Sequence, residues 1–153
     1  MENVRTSLNG YRLDAEIKNV PVSFVNALRR ILLADALASG ATGLLMAAAP
    51  LGTLLGLPAG LLRAAGLLLL PYAVLVAWLA LRHAPPPRRA VRAVVTANAI
   101  WAADSLVLLL SGQVAPTAVG TAFVLVQAAV VAGFAVLQAL ALRGRAGVAA
   151  QPA

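Results

Sequence analysis

Seven polar side chains lie within the long apolar runs of the sequence or directly beside one. They are two acids, an arginine, an asparagine, a serine and two glutamines: Asp35, Asp104, Arg63, Asn98, Ser105, Gln127 and Gln138. A carboxylate in such a run can bind a proton or a cation, so the set could form a polar path for a proton, an ion or a small solute. The same groups can instead hydrogen-bond between helices and specify packing. We favour the packing interpretation, with Asp104 as the first candidate if one acid has a functional role.

The sequence has few residues that could bind a metal or a cofactor or act as a nucleophile. The chain has no cysteine, which excludes disulfides, thiolate metal sites, cysteine nucleophiles and iron–sulfur clusters. Its single histidine, His83, cannot build a metal site unaided. A Ser/His/Asp arrangement of Ser105, His83 and Asp104 would have to bridge about 15 Å of membrane depth. We therefore expect a protein that is not an enzyme and that has no metal site and no cofactor.

The composition indicates that membrane-spanning helices position these residues. Of 153 residues, 61% are hydrophobic and 11% are charged, whereas about 25% are charged in an ordinary soluble domain. Four apolar runs are long enough to cross a hydrocarbon core of about 30 Å as helices that rise about 1.5 Å per residue. They cover residues 31–49, 64–81, 94–110 and 118–142. The sequence therefore predicts an all-α, four-helix transmembrane bundle with connections rich in proline and glycine.

The first 30 residues differ in composition from the rest of the chain. They contain four of the five asparagines, the only lysine and three of the five acids. No signal-peptide pattern precedes the first apolar run, so this polar segment should stay on the side of the membrane where it is made. We predict a polar N-terminal segment at residues 1–30, a membrane domain at residues 31–145 and a C-terminal tail at residues 146–153.

Arginines are distributed unequally between the two sides of the predicted bundle. Lysine and arginine in short loops resist translocation and stay in the cytoplasm. The arginines that would determine topology in this way flank the spans on one side: Arg29, Arg30, Arg82, Arg88, Arg89, Arg92, Arg143 and Arg145. The other side has only Arg63. Both termini and the central loop are therefore expected in the cytoplasm, which agrees with an even number of spans.

The net charge of +7 raises the question of nucleic-acid binding. No aromatic platform or recognition helix accompanies these arginines, so we expect no nucleic-acid partner and explain them as topology determinants. The lipid bilayer is the expected partner, and a second copy of the chain or another membrane protein remains open as a further one.

Counting along the spans sorts most of the polar residues into two layers. The inner layer, about one turn inside the cytoplasmic boundary, contains Asp35, Asn98 and Gln138. The outer layer contains Arg63, Asp104 and Gln127. At about 100° per residue, one arc of about 120° on the third span contains Asn98, Trp101, Asp104 and Ser105. We expect such faces to meet inside the bundle, where Asp104 would either pair with Arg63 or titrate.

Residues 19–35, NVPVSFVNALRRILLAD, resemble the first helix of the alpha-type assembly subunits of RNA polymerase, a family that includes their archaeal counterparts. The core NALRRILL carries the resemblance. It implies a strand near residues 8–17, a following helix through which two such subunits pair, and a role in polymerase assembly. The resemblance covers residues 8–35, roughly a fifth of the chain.

Residues 28–145 resemble small four-span integral membrane proteins of bacteria whose activity is uncharacterised. The resembling pieces are residues 33–40 (LADALASG), the set Asn98, Trp101 and Ser105, and residues 114–123 (VAPTAVGTAF). The resemblance implies a four-span architecture and no particular reaction, and we expect the chain in the bacterial plasma membrane. Because residues 29–33 fit both families, we expect an in-frame fusion, a misplaced start or a deliberately composed sequence.

Three functions follow as hypotheses from these observations. The leading one is a structural or accessory integral membrane protein without enzymatic activity. The second is a small proton- or ion-coupled transporter that uses Asp35 or Asp104. The third, implied only by residues 8–35, is a fragment of an RNA polymerase assembly protein of the alpha type.

Overall fold

The computed structural model describes the backbone of residues 2–149 and the side chains of residues 25–144. The described chain forms five helices: α1 (Glu2–Ala48), α2 (Gly52–Leu55), α3 (Ala59–Leu81), α4 (Arg88–Leu110) and α5 (Ala118–Ala149). Four segments of these helices are long and apolar enough to cross a membrane: Val25–Ala48, Ala59–Leu81, Arg88–Leu110 and Ala118–Gly144. The predicted all-α, four-span fold is therefore confirmed.

Helices α3 and α4 begin a turn or more before the predicted spans, at Ala59 and Arg88. Each follows a proline directly, and the φ of Pro58 (−57°) and of Pro87 (−62°) already suits a helix start. A proline also disfavours helical backbone in the residue before it, so the preceding chain stays outside the helix. Hydropathy alone missed these first turns because they contain arginines.

Helix α1 continues without a break from the polar N-terminal segment into the first span. Residues 8–17, for which the polymerase resemblance implies a strand, have helical backbone. A lone strand would leave its backbone groups without partners, because the described chain offers no second strand to pair with, whereas a helix satisfies them internally. The leucine, arginine, alanine and glutamate of this stretch also favour helix. The implied strand is therefore wrong.

Helix α1 packs mainly against α3, and α4 packs mainly against α5. The helices α1 and α3 approach each other closely at Gly66, where a Cβ atom would lie 2.6 Å from the backbone nitrogen of Ala47 and 2.7 Å from the carbonyl oxygen of Gly43. Glycine at this position lets the two backbones come closer than any side chain would allow.

The short helix α2 connects the first span to α3, at the end of the bundle opposite the α3–α4 loop. Gly56 follows α2 with φ +64°, in the left-handed region that favours glycine. Thr117, just before α5, donates its backbone N–H to the carbonyl oxygen of Leu55 (3.0 Å) and its hydroxyl to that of Leu54 (2.7 Å). These bonds join the two connections at this end of the bundle.

Two apolar clusters fill the interior of the bundle. The cluster near the α3–α4 loop includes Leu28, Leu32, Val76 and Val91. The cluster near the opposite end includes Met46, Leu55, Leu69 and Val124. The exterior is apolar as well, since Leu37 is 74% exposed, Val74 70% and Leu110 86%. Apolar exposure on this scale is expected of a surface that meets lipid.

Candidate functional site

Five polar side chains meet inside the bundle and form what we call the polar cluster: Asp35 and Ser39 from α1, Tyr72 from α3, Asn98 from α4 and Gln138 from α5. Every membrane-spanning helix contributes at least one of them. Asp35 and Gln138 are fully buried, and Asn98 and Ser39 are 3% and 6% exposed. Polar groups buried this deeply must find their hydrogen-bond partners within the protein.

The carboxyl group of Asp35 is the centre of the polar cluster. Its Oδ2 accepts hydrogen bonds from Nε2 of Gln138 (2.7 Å) and Nδ2 of Asn98 (2.8 Å). Its Oδ1 accepts a bond from Oγ of Ser39 (3.2 Å). Among the described side chains, no arginine lies within ion-pair distance of it. The described groups that bond this carboxyl group are therefore neutral donors, and these three come from α5, α4 and α1.

Tyr72 and the two amides add a second set of bonds around Asp35. The Tyr72 hydroxyl lies 2.7 Å from Oδ1 of Asn98 and 3.2 Å from Oδ2 of Asp35, and its one hydrogen can be donated to only one of them at a time. Nδ2 of Asn98 also donates to Oε1 of Gln138 at 3.4 Å. A proton arriving on Asp35 would turn one of its oxygens from an acceptor into a donor, so a hydroxyl or an amide would have to rotate.

On α4 and α5, the buried residues form one stripe along the side of the helix that faces the bundle interior, here called the buried stripe. Asn98 and Gln138 belong to it. The buried positions of α4 are 91, 94, 98 and 102, and those of α5 include 124, 128, 131, 135 and 138. Steps of three and four residues are typical of helices packed side by side. Asn98 and Gln138 are therefore polar residues at positions that valine or alanine otherwise occupies.

The structure brings together the three residues of the predicted inner layer, Asp35, Asn98 and Gln138. Sequence reasoning missed Ser39 and Tyr72. Ser39 follows Asp35 by four residues, and this spacing places both on one face of a helix, so it could have identified Ser39. Tyr72 has no such signal, because only the packing of α3 against α1 and α4 places its hydroxyl beside Asp35.

The structure does not bring together the residues of the predicted outer layer. Asp104 and Arg63 are both exposed, and neither has an ion-pair partner among the described side chains. The buried stripe of α4 is only about 80° wide, and Asp104 lies about 120° from Asn98 around the helix axis. Arg63 lies about 100° from the buried Leu62 on α3. Both side chains therefore face the exterior, because the expected arc of 120° was wider than the stripe that is buried.

Ser105 and Gln127 complete the predicted set, and both are half-buried. Oγ of Ser105 donates to the carbonyl oxygen of Trp101 (2.8 Å), one turn back on the same helix. Gln127 lines a groove of about 440 Å³ between α1 and α5, where the other polar residues are Ser39 and Thr42. Because Ser39 also hydrogen-bonds Asp35, this groove leads from the lipid-facing surface to the polar cluster.

The arginines expected to determine topology lie where α3 ends and α4 begins, here called the arginine-rich end. Those with described side chains are Arg29, Arg30, Arg82, Arg88, Arg89, Arg92 and Arg143, and Arg145 falls outside the described side chains. Nη2 of Arg29, which has two hydrogens to donate, lies within hydrogen-bond distance of the carbonyl oxygens of Arg82 (2.7 Å), His83 (2.9 Å) and Ala84 (3.2 Å). Arg29 thus caps the C terminus of α3, whose partial negative charge favours a cation.

The described residues contain no group of three or more acids and histidines that could hold a metal ion. Comparison with protein-family models, curated proteins and solved structures gave no match. The features that bear on function are therefore the polar cluster, the groove beside it and the placement of charge.

Proposed function

We propose that this chain is an accessory integral protein of a bacterial plasma membrane, with both termini and the α3–α4 loop in the cytoplasm. Four apolar spans make it a multi-pass membrane protein. The orientation is supported by charge, because seven arginines with described side chains lie at the arginine-rich end and only Arg63 lies at the other. In this proposal the polar cluster fixes how the four spans pack.

The observation that carries this proposal is the convergence of the spans on one carboxyl group. Apolar side chains give helices in lipid little preference for one register, because lipid chains are as apolar as the helices. The hydrogen bonds from Asn98 and Gln138 to Asp35 form in one register only. At about 0.6 kcal/mol each, the three interhelical bonds to Asp35, including that of Tyr72, would together contribute about 2 kcal/mol.

The absence of catalysis in this proposal is supported by the separation of the reactive groups. His83 is the only histidine of the chain, and it is exposed in the α3–α4 loop. Asp35 is buried among amides and hydroxyls, and the Ser105 hydroxyl is bonded to the backbone of its own helix. Among the described side chains, the one serine that bonds a carboxyl group is Ser39, and it is buried in the polar cluster with Asp35.

The packing of residues 28–35 argues against a role in RNA polymerase assembly. The resembling stretch contributes Leu28, Leu32 and Asp35 to the interior of the bundle, where they contact other spans. A surface buried in this way is not free to form the pairing between two polymerase subunits that the resemblance implies. Recovery of the full chain as a soluble protein without detergent would reopen this candidate.

Substitution of the two aspartates of the spans tests the structural role. Asp35→Asn places an amide among donors and is expected to lower the free energy of unfolding by about 2 kcal/mol. Asp104→Asn makes the same change at an exposed position and is expected to alter it by less than about 0.5 kcal/mol. Unfolding in mixed detergent micelles, followed by circular dichroism, measures both. Equal effects at the two positions would reject the structural role of Asp35.

A proton- or ion-coupled transporter is the second candidate, and one contact favours it. Ser39 lines the groove between α1 and α5 and also donates to Asp35. A solute in the groove and a proton or cation on Asp35 would thus be separated by a single side chain. In this candidate Asp35 replaces Asp104 as the coupling acid, because Asp104 is exposed and lies outside the polar cluster.

Reconstitution of the full chain separates the two candidates. Proton flux into liposomes is measured with an entrapped pH-sensitive dye for the wild type, Asp35→Asn, Asp35→Glu and Asp104→Asn. A proton-coupled transporter predicts flux in the wild type and in Asp104→Asn that Asp35→Asn lacks and Asp35→Glu retains in part. The structural proposal predicts no flux above that of empty liposomes for any of the four.

A further inference from the structure

A second site lies at the arginine-rich end, in a cleft between the start of α4 and the end of the α5 span. The cleft has a volume of about 350 Å³ and is lined by Arg88 and Arg92 from α4 and by Arg143 from α5. All three side chains are exposed. The two on α4 are four residues apart and so share a face. Three guanidinium groups therefore border one cleft.

No described carboxylate neutralises this cleft. The acids among the described side chains are Asp35, which is buried in the polar cluster, and Asp104, which lies about 18 Å further along α4 than Arg92. None of the three arginines has an ion-pair partner among the described side chains. Helix α4 begins here without a side-chain cap, and its N terminus adds partial positive charge. The cleft therefore has the charge to hold an anion.

The rest of the lining suits a lipid better than a free ion. Val95 and Leu142 supply an apolar wall, and Thr96 adds a hydroxyl. Val95 lies seven residues into α4, about 10 Å deeper than Arg88. This depth exceeds the thickness of the headgroup region of one leaflet, roughly 5 to 8 Å. The charged part of the cleft therefore lies at the level of phosphates and its apolar wall at the level of acyl chains.

We propose that this cleft binds the phosphate of an anionic phospholipid, with the three guanidinium groups around the phosphate and an acyl chain along Val95 and Leu142. Arginine suits this role because its planar fork can donate two parallel hydrogen bonds to phosphate oxygens. Basic pockets between spans at the cytoplasmic side are a known form of headgroup site. The inference rests on the membrane location of the chain and not on the role of the polar cluster.

Native mass spectrometry of the full chain in a neutral detergent tests this by counting bound lipids. Dioleoyl phosphatidylglycerol and dioleoyl phosphatidylcholine share their acyl chains and differ in net charge, so the ratio of their affinities isolates the headgroup. We expect the wild type to prefer phosphatidylglycerol by at least about tenfold, and Arg92→Gln and Arg143→Gln each to reduce this ratio by about fivefold. Equal affinity of the wild type for the two lipids would overturn the proposal.

Arg89→Gln and Arg63→Gln are matched controls, because each removes one arginine that does not line the cleft. Both are expected to keep the wild-type ratio. A loss as large as that of Arg92→Gln would show nonspecific attraction to positive charge and would contradict a defined site. Arg92→Lys keeps the charge but not the fork, so its ratio should fall between those of the wild type and Arg92→Gln.

A soluble phosphate compound could occupy the same cleft, and a competition experiment distinguishes it from a lipid. Inorganic phosphate and glycerol 3-phosphate are added at millimolar concentration to the complex with phosphatidylglycerol. A lipid site predicts that neither displaces the bound lipid, because the acyl chain contributes to its affinity. Displacement by either compound would overturn the assignment to a lipid.

Discussion

Asp35 of the polar cluster and Asp104 of the predicted outer layer differ in their position relative to the buried stripe of their helices. Asp35 and Asp104 are the two aspartates of the spans, yet Asp35 is fully buried with hydrogen-bond partners on every span, whereas Asp104 is exposed. In the sequence, each is a single acid within an apolar run. A polar residue within a span therefore marks an interior site only when it lies on the buried stripe of its helix.

Helix α4 shows this difference within a single element. Asn98 and Asp104 are six residues apart, which separates them by about 120° around the helix axis. Asn98 is 3% exposed and bonds three side chains of the polar cluster, whereas Asp104 faces outward. The rotation of the helix about its own axis thus decides which polar residue enters the interior.

The largest effect should come from moving an acid onto the buried stripe where no donors surround it. Ala102 is 8% exposed and lies one turn beyond Asn98. In the double variant Ala102→Asp/Asp104→Ala the composition is that of the wild type, but the carboxyl group is buried without amide partners. We expect a loss of about 3 kcal/mol in the free energy of unfolding in micelles, or no folded bundle at all.

The matched control for this variant is Asp104→Ala alone, which should change the free energy of unfolding by less than about 0.5 kcal/mol. If the double variant is as stable as the wild type, position around the helix is not what distinguishes the two aspartates.

The next largest difference in the free energy of unfolding is expected between variants of the two asparagines with described side chains. Asn98→Leu removes a donor to Asp35 and an acceptor for Tyr72, so we expect a loss of about 2 kcal/mol in the free energy of unfolding. Asn26→Leu, at an exposed position of α1, is expected to stay within about 0.5 kcal/mol of the wild type. Similar losses at both positions would mean that the effect belongs to the residue type and not to the cluster.

The two glutamines of α5 lie within about 20° of each other around the helix axis, so they should differ through burial and bonding instead, and less strongly. Gln138→Leu removes the 2.7 Å bond to Asp35 and is expected to cost about 1.5 kcal/mol of stability. Gln127→Leu changes a half-buried residue of the groove and should cost less than about 0.5 kcal/mol. Unfolding in mixed micelles again provides the comparison, and a larger loss for Gln127→Leu would reverse the assignment of inner and outer residues.

The smallest effect is expected at Tyr72. Tyr72→Phe removes one hydroxyl, which can donate to only one of its two acceptors at a time, so the loss in the free energy of unfolding should be below about 1 kcal/mol. Thr42→Val, which removes a hydroxyl from the groove, is the control and should have no measurable effect. A loss for Tyr72→Phe greater than that for Asn98→Leu would contradict the central place of the amides.

The four spans could be predicted from the sequence because the length of an apolar run and the breaks between runs are local properties. The predicted spans overlap the four membrane-spanning segments of the structure, and the predicted starts of α3 and α4 are too late because hydropathy excluded first turns that contain arginine. The inner layer could be predicted as well, since Asp35, Asn98 and Gln138 lie at a similar depth when residues are counted from one side.

The contacts of Tyr72 and the exposure of Asp104 could not be predicted in this way. Depth follows from counting along one helix, but the direction of a side chain depends on how the helix is rotated against its neighbours. That rotation is set by packing, for example by the close approach of α1 and α3 at Gly66. A pattern of buried positions at steps of three and four residues is the sequence feature that comes nearest to revealing it.

The most direct test of Asp35 as the residue that joins the spans is a double-mutant cycle with Gln138. Asp35→Asn and Gln138→Leu are measured singly and together by unfolding in mixed micelles, and a cycle of Asp35→Asn with Gln127→Leu serves as the control. We expect a coupling energy of about 1 kcal/mol for the pair with Gln138 and less than about 0.3 kcal/mol for the pair with Gln127. Additive effects in both cycles would contradict the claim that hydrogen bonds to Asp35 hold the four helices together.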